Sequence, residues 1–332
     1  MKREFVIVGA LLIFFLLSGL YYAATNSITS DELTHITSGY INLRFNDYRF
    51  NIEHPPLVKQ LSALPLMLLK LNFPVRIYEA SIAPPDIVKL QEAFLFGIGN
   101  KLDLILLLSR IPNILISVFL GFLIYRWSRE ANGLFAGVVS LSLFVFSPSF
   151  LGHSPLVTMD TTISCFYLAT IYCLMNFFKK RQNVYLTLTG LCLGLSLISK
   201  FSALLLLPIA YVLVAAYVLI CVKKDELLKL KFNKYLFLLP LLPFASSYKS
   251  SFKFIAPALF LCLFSTFCYK NNVYIKKLRT ICVILLIILT IAFTIVILDY
   301  TNFKWFPFGS ATKAYFKGFS SFEGHAKEGQ GS

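Results

Sequence analysis

Long apolar blocks alternate along this chain with polar connections. Most blocks approach the roughly 20 residues at which an α-helix crosses the hydrocarbon core of a bilayer. The first block, FVIVGALLIFFLLSGLYYAA, is longer than the apolar core of a cleaved signal peptide, about 7–15 residues, so we interpret it as a retained anchor. The pattern predicts about nine membrane helices, near residues 5–24, 103–125, 134–150, 160–178, 184–199, 201–222, 235–248, 253–269 and 280–299.

The composition indicates the same class, an all-α integral membrane protein. Of the 332 residues, 57% are hydrophobic and only 14% are charged. Soluble domains are nearer half apolar and about a quarter charged. All seven cysteines lie inside apolar blocks without the spacing of metal ligands, so we interpret them as small hydrophobic residues.

The net charge of +15 raises the alternative of a nucleic-acid-binding protein. The basic residues argue against nucleic acid as a partner, because they cluster at every second connection. This is the positive-inside pattern, which orients helices in a membrane. The clusters are Lys2/Arg3, Arg126/Arg129, Lys179/Lys180/Arg181, Lys223/Lys224 with Lys229/Lys231/Lys234, and Lys276/Lys277/Arg279. Placing them inside leaves residues 25–102, 151–159, Lys200 and 300–332 on the outer side.

The long outer loop at 25–102 contains a further apolar segment, LVKQLSALPLMLLKL, at 57–71. The segment is too short to span a bilayer comfortably and carries Lys59 and Lys70 at its flanks. We therefore predict a helix that lies at the membrane interface.

The ionisable residues on the outer side form a candidate active site. Such residues at membrane depth are costly, and several of them at one water–membrane boundary indicate function. The candidates are Asp31, Glu32, Glu53 and His54 in the first loop, Asp160 at the head of the fourth helix, and Lys200 between two helices.

Each candidate also has a purely structural interpretation. Thr29-x-x-Glu32 fits a capping box, so Asp31 and Glu32 would simply start a helix. Asp160 would cap the fourth helix, and Lys200 would extend its ammonium group to lipid headgroups. Independent caps need not converge on one face, so the set as a whole favours a site.

The residue types at this candidate site suit transfer of a group from a lipid phosphate to a hydroxyl. The sequence has no P-loop, H-E-x-x-H or G-x-S-x-G motif, which removes the signatures of ATP-driven transport, zinc proteolysis and α/β-hydrolase chemistry. A phosphate leaves readily and needs positive charge, which Lys200 or a bound divalent metal would supply. One carboxylate then suffices as general base, and direct displacement inverts the anomeric centre.

Four segments resemble the GT-C membrane glycosyltransferases of family 39, the protein O-mannosyltransferase and aminoarabinose-transferase type. The segments are DELTHITSGY…NIEHPPLVKQL, LLSRIPNILISVFLGFLIYRWSRE, LFVFSPSFLGHSPLVTMDTTISCFYLATIY and LTGLCLGLSLISKFSALLLLP. They cover most of residues 28–210 in the family's order, and this order is more specific than any single block.

The resemblance implies a role for each candidate. Asp31 matches the presumed catalytic base, and Glu32 lies beside it. Glu53 and His54 match the charged residues close to the donor phosphate, where the aminoarabinose enzymes have a lysine in place of His54. Asp160 and Lys200 match the family's second-loop acid and its lysine.

The sequence thus favours a glycosyltransferase of the plasma membrane that acts on the outer face. Its substrates would be a polyprenyl-phosphate sugar and an acceptor hydroxyl on a protein, lipid or glycan. The sequence specifies no cofactor, and a bound divalent metal is the alternative to Lys200 as the source of positive charge. A flippase or transporter for lipid-linked sugars is the main alternative, and a non-catalytic scaffold is another. Transporters place charges near the bilayer midplane, whereas these charges lie at helix ends.

The predicted domain organisation is one membrane domain over residues 1–300, with 25–102 as its outer catalytic loop. Residues 301–332 are polar and rich in Gly and Lys, and we expect them to begin a larger outer segment that has been truncated. An open site loses the benefit of a low dielectric, so weak or no transfer is expected from the isolated chain.

Overall fold

A computed structural model describes most of the chain up to Cys221 and part of one later helix. The described residues are 2–81, 86–221, 281, 284–285, 287–289, 291–292 and 295–296. The predicted helices at 235–248 and 253–269 and the C-terminal tail lie outside the described residues. The described residues up to Leu168 belong to one compact unit and those from Ala169 onward to a second.

Every regular element in the described part of the chain is helical. The α-helices are α1 (Lys2–Thr25), α2 (Ser30–Phe45), α3 (Leu57–Ala63), α4 (Val75–Ala80), α5 (Ile87–Glu92), α6 (Leu102–Val145), α7 (Pro148–His153), α8 (Asp160–Lys180), α9 (Asn183–Leu197) and α10 (Leu206–Ala216). Among the described residues, four segments are long and apolar enough to cross a membrane, namely Glu4–Thr25, Leu102–Val145, Asp160–Lys180 and Phe201–Ile220. The prediction of an all-α membrane protein is confirmed, and the full number of about nine membrane helices stays a prediction.

The predicted helices at 103–125 and 134–150 form a hairpin within α6. The chain reverses at Gly133, where a φ of 86° favours glycine because it has no Cβ. The hydroxyls of Ser128 and Ser140 are 2.8 Å apart, whereas twelve residues of straight helix would separate them by about 18 Å. The second arm ends at Val145, and Pro148 then begins the separate short helix α7.

Helix α1 runs antiparallel to the first arm of this hairpin. At one end, the carboxylate of Glu4 lies 2.9 Å from Nε of Arg129 and accepts a hydrogen bond from the hydroxyl of Tyr125. Farther along, a Cβ at Gly19 would lie 3.1 Å from the side chain of Ile114. The two helices therefore stay in contact along most of their length, which brings the C-terminal end of α1 to the start of α6.

The long loop at 25–102 folds into short helices that cross at close range. A Cβ at Gly39 of α2 would lie only 2.0 Å from the carbonyl oxygen of Lys59 on α3, so the two backbones touch. The predicted interfacial segment is α3 followed by a 3₁₀ turn at Leu64–Leu68, where Leu68 is 88% exposed. Lys59 was expected at an exposed flank and is instead buried, because α3 presses this face against α2.

The described part of the second unit contains close helix contacts of its own. Gly190 and Gly194 face a helix that includes Ile291 and Ile295, and a Cβ at either glycine would lie 2.7 Å from the Cβ of one of these isoleucines. The predicted helix at 201–222 begins as a 3₁₀ turn at Phe201–Leu205 before α10. These contacts show the small-residue packing that is common between membrane helices.

The predicted orientation can be tested with membrane-impermeant thiol reagents in intact cells. Asn46 ends α2 in the first outer loop, and Asn183 begins α9 beside the Lys179/Lys180/Arg181 cluster. We expect an Asn46→Cys variant to be labelled from outside and an Asn183→Cys variant to react only after permeabilisation. The parent chain serves as control for its native thiols, and the reverse labelling pattern would contradict both the orientation and the outer site.

Candidate active site at the start of α2

The two adjacent acids of the first loop lie in the first turn of α2. The helix begins at Ser30, and the backbone N–H of Thr29 donates to Oε2 of Glu32 at 3.0 Å. The hydroxyl of Thr29 donates to the same oxygen at 3.1 Å. The capping-box interpretation is therefore confirmed for Glu32, whose carboxylate satisfies a donor at the helix N-terminus.

Glu32 also forms a fully buried ion pair with Arg110 of α6. Nε of Arg110 donates to Oε1 of Glu32 at 2.8 Å, Nη2 donates to Oε2 at 2.7 Å, and both side chains are 0% exposed. Burial by itself would raise the pKa of Glu32, but the hydrogen bonds from Arg110, Thr29 and Val157 and the charge of Arg110 lower it overall. Glu32 is therefore ionised, and both of its carboxylate oxygens accept hydrogen bonds.

The remaining donors of Arg110 bind the C-terminal end of α1 and the residues after it. Nη1 donates to the carbonyl oxygens of Ala23 at 3.2 Å and Asn26 at 2.8 Å, and Nη2 donates to that of Ser27 at 2.8 Å. Carbonyls at the end of a helix lack partners within the helix and carry partial negative charge, so they favour a cation. One guanidinium thus joins the end of α1 to the start of α2.

The loop between α7 and α8 is attached to the same network. The N–H of Val157 donates to Oε1 of Glu32 at 3.1 Å. Nδ2 of Asn113 donates to the carbonyl oxygens on either side of Val157, at 2.5 and 3.2 Å. These bonds hold the segment that leads into Asp160, the first residue of α8.

His35 connects this loop to the first outer loop. Its Nδ1 lies 2.8 Å from the carbonyl oxygen of Val157, which requires a proton on Nδ1. Burial lowers the pKa of His35 to about 4, and the charge of Lys59 acts in the same direction. His35 is therefore neutral at pH 7, and its Nε2 is a hydrogen-bond acceptor.

His54 lies beside His35 at the end of a turn held by Lys59. The two imidazole rings are nearly perpendicular, with centroids 5.3 Å apart. Nζ of Lys59 donates to the carbonyl oxygens of Asn51 and His54, each at 2.8 Å. The turn that carries Glu53 and His54 is thus placed against α2.

The first unit brings together most of the residues predicted from the sequence. Asp31 is exposed and, within the described part of the chain, makes no hydrogen bond or ion pair. Glu53 and His54 are half-buried, and Asp160 is exposed. Lys200 belongs to the second unit, where it precedes a 3₁₀ turn, and its link to the other residues stays a prediction.

Three ionisable residues of this network were not among the sequence candidates, namely His35, Lys59 and Arg110. His35 had a usable signal, since it follows Asp31 by four residues and therefore shares its helix face. Arg110 also had a signal, because it is a charged residue inside the apolar block at 103–125, but its partner Glu32 lies 78 residues away along the chain. Among the described residues, no group of three or more His, Cys, Asp or Glu side chains is arranged to hold a metal.

Comparison with known proteins gives a match between part of the chain and a protein-family model. Residues 98–248 match the sequence model described as dolichyl-phosphate-mannose-protein mannosyltransferase. No curated protein and no solved structure matches the chain. The predicted resemblance to GT-C glycosyltransferases of family 39 is confirmed, and the matched stretch includes Arg110, Asn113, Asp160 and Lys200.

Proposed function

We propose, starting from the match of residues 98–248 to this mannosyltransferase family, that the protein transfers a sugar from a polyprenyl-phosphate donor to an acceptor hydroxyl. One observation supports the assignment of different roles to Asp31 and Glu32. Of the two adjacent acids, Glu32 is buried and bound by Arg110, whereas Asp31 is exposed and unpaired among the described residues. Asp31 is therefore the general base, and Glu32 is a positioning residue that holds the start of α2 in place.

The proposed reaction is a single displacement at the anomeric carbon. The carboxylate of Asp31 accepts the proton of the acceptor hydroxyl as its oxygen attacks the anomeric carbon. The new glycosidic C–O bond forms on one face of the sugar while the bond from the anomeric carbon to the phosphate oxygen breaks on the other. The polyprenyl phosphate leaves with that electron pair, and the anomeric configuration is inverted.

Positive charge and N–H donors stabilise the departing phosphate. We assign this role to Lys200 and to the ring N–H of His54, with Glu53 and Asp160 orienting them. The geometry of the first unit supports the placement of His54, because its turn lies against α2 beside His35. In this scheme the active site faces the outer side of the plasma membrane, where the alternating basic clusters place the first loop.

The alternative of a flippase or transporter predicts movement of the lipid-linked sugar without chemistry. The described polar network lies at helix starts and in loops, which favours an enzyme with a site at the membrane boundary. The description of the matched family makes dolichyl-phosphate mannose the first donor to test.

The deciding experiment measures transfer by the purified protein in lipid vesicles. Dolichyl- and undecaprenyl-phosphate sugars are supplied with membrane and protein fractions as acceptors. Mass spectrometry should detect both products, free polyprenyl phosphate and a glycosylated acceptor, at low yield, because the outer site of the isolated chain is open to water. Transbilayer movement of intact donor without either product would support the flippase and contradict the proposed function.

We expect Lys200→Ala to weaken donor binding by about tenfold or more, because a charge-assisted contact to phosphate is lost. Titration of the protein with a fluorescent polyprenyl-phosphate sugar measures the Kd. Lys101→Ala, at an exposed lysine before α6, is the matched control and should bind normally. Equal donor affinity in the two variants would return Lys200 to its role as a headgroup contact.

A further inference from the structure

We infer that Lys59 is a positioning residue, which holds the turn at 51–54 so that His54 stands against His35. Only its consequence for sugar transfer rests on the proposed function. Lys59 is 2% exposed, which is uncommon for a lysine and indicates that its ammonium group is satisfied inside the protein.

The first step of the argument is the contact between the ammonium group and the turn. Nζ of Lys59 donates to the carbonyl oxygens of Asn51 and His54 at 2.8 Å each. These carbonyls point toward one cation although two residues lie between them in the chain, and Asn51 adopts a φ of 52°. Asparagine is one of the few residues besides glycine that adopt this left-handed conformation readily. The two hydrogen bonds from the ammonium group fix the turn in this shape.

The second step is the position of Lys59 relative to His35. Gly39 follows His35 by four residues on α2, so the two share a helix face. A Cβ at Gly39 would lie 2.0 Å from the carbonyl oxygen of Lys59. The backbone of α3 therefore packs directly against the face of α2 that carries His35. This contact fixes the position of Lys59 relative to His35.

The third step is the electrostatic effect on His35. Besides burial and the Val157 carbonyl, the charges that act on its imidazole are Lys59, which lowers the pKa, and Asp31 and Glu32, which raise it. His54 contacts the ring edge. Lys59 therefore contributes to both features of the histidine pair, the placement of His54 and the neutral state of His35.

The test compares Lys59→Met with Lys59→Arg in the full chain in nanodiscs. Histidine side chains labelled with ¹³C report the pKa of His35 by NMR, and His35→Gln assigns its signal. We expect the pKa of His35 to rise in Lys59→Met and to stay near its original value in Lys59→Arg. We also expect amide hydrogen exchange at residues 51–54 to accelerate by about 10- to 100-fold in Lys59→Met, because hydrogen bonds to a charged group are lost.

Lys70→Met, at an exposed lysine of the same loop, is the matched control and should change neither measurement. If Lys59→Met does not fold, Lys59→Gln is used instead, because it removes the charge and keeps an N–H donor group. The same rise in the pKa of His35 is expected. An unchanged pKa of His35 together with unchanged exchange at 51–54 overturns the inference.

Transfer kinetics separate this inference from the proposed function. If no variant and no parent protein transfers sugar, yet the pKa and exchange change as expected, the proposed function fails alone. If the parent is active, we expect Lys59→Met to lower kcat/KM, with partial rescue in Lys59→Arg. Transfer by the parent with no change at the turn in Lys59→Met would refute the positioning role alone.

Discussion

Replacing Asp31 by Asn should lower the turnover of sugar transfer by about 100- to 10,000-fold, the usual contribution of a general base. The amide has nearly the same shape as the carboxylate but cannot take up the acceptor proton. Asp31 lies in the first turn of α2 and bonds to no other described side chain, so the exchange disturbs little of the fold. The loss therefore belongs to the chemical step.

The measurement separates turnover from donor affinity. Because the base acts on the acceptor proton in the transition state, kcat should fall while the Kd for the polyprenyl-phosphate sugar stays largely unchanged. Asp103→Asn is the matched control, since Asp103 is an exposed acid in the first turn of α6. Near-normal kcat in Asp31→Asn would show that Asp31 is not the general base.

Replacing Arg110 by Met should lower the free energy of unfolding by about 3–5 kcal/mol, because one partner of a buried ion pair is removed. The carboxylate of Glu32 would stay buried without its cation. The carbonyls of Ala23, Asn26 and Ser27 would lose a shared donor at the end of α1. Of the hydrogen bonds to Glu32, those from Thr29 and from the N–H of Val157 would remain.

Denaturant unfolding in mixed micelles measures this loss, and two further variants interpret it. Glu32→Met combined with Arg110→Met should cost less than the sum of the single changes, because neither charge is left buried alone. Arg126→Met removes an exposed pair with Glu130 and should cost no more than about 1 kcal/mol. Stability of Arg110→Met equal to that of Arg126→Met would show that the buried pair does not hold the fold together.

The positions of the membrane helices followed from the sequence to within a few residues. The segments predicted at 5–24 and 160–178 appear as α1 and α8. Their length and apolar content are local properties, and a bilayer selects for both directly. The two arms of the α6 hairpin were predicted for the same reason, because a polar connection separates two apolar blocks.

The contacts that build the site had no such local signal. Arg110 and Glu32 are 78 residues apart, and Val157 is 125 residues from Glu32. Lys59 flanks an apolar segment that is too short to span a bilayer, and this pattern predicted only a helix at the membrane interface. Only the crossing of α3 over Gly39 shows that this lysine faces the protein interior.

The adjacent acids Asp31 and Glu32 show most clearly which features the sequence determined and which depended on the tertiary structure. The spacing Thr29-x-x-Glu32 was enough to place both acids in the first turn of a helix. Successive side chains of an α-helix point about 100° apart, so the two acids could not both point into the same buried site. Which of them is buried depends on where Arg110 and the Val157 loop lie, and those come from distant parts of the chain. The sequence therefore determined the pair, whereas the packing of α6 and the α7–α8 loop against α2 decided that Glu32 is held inside and Asp31 is left exposed.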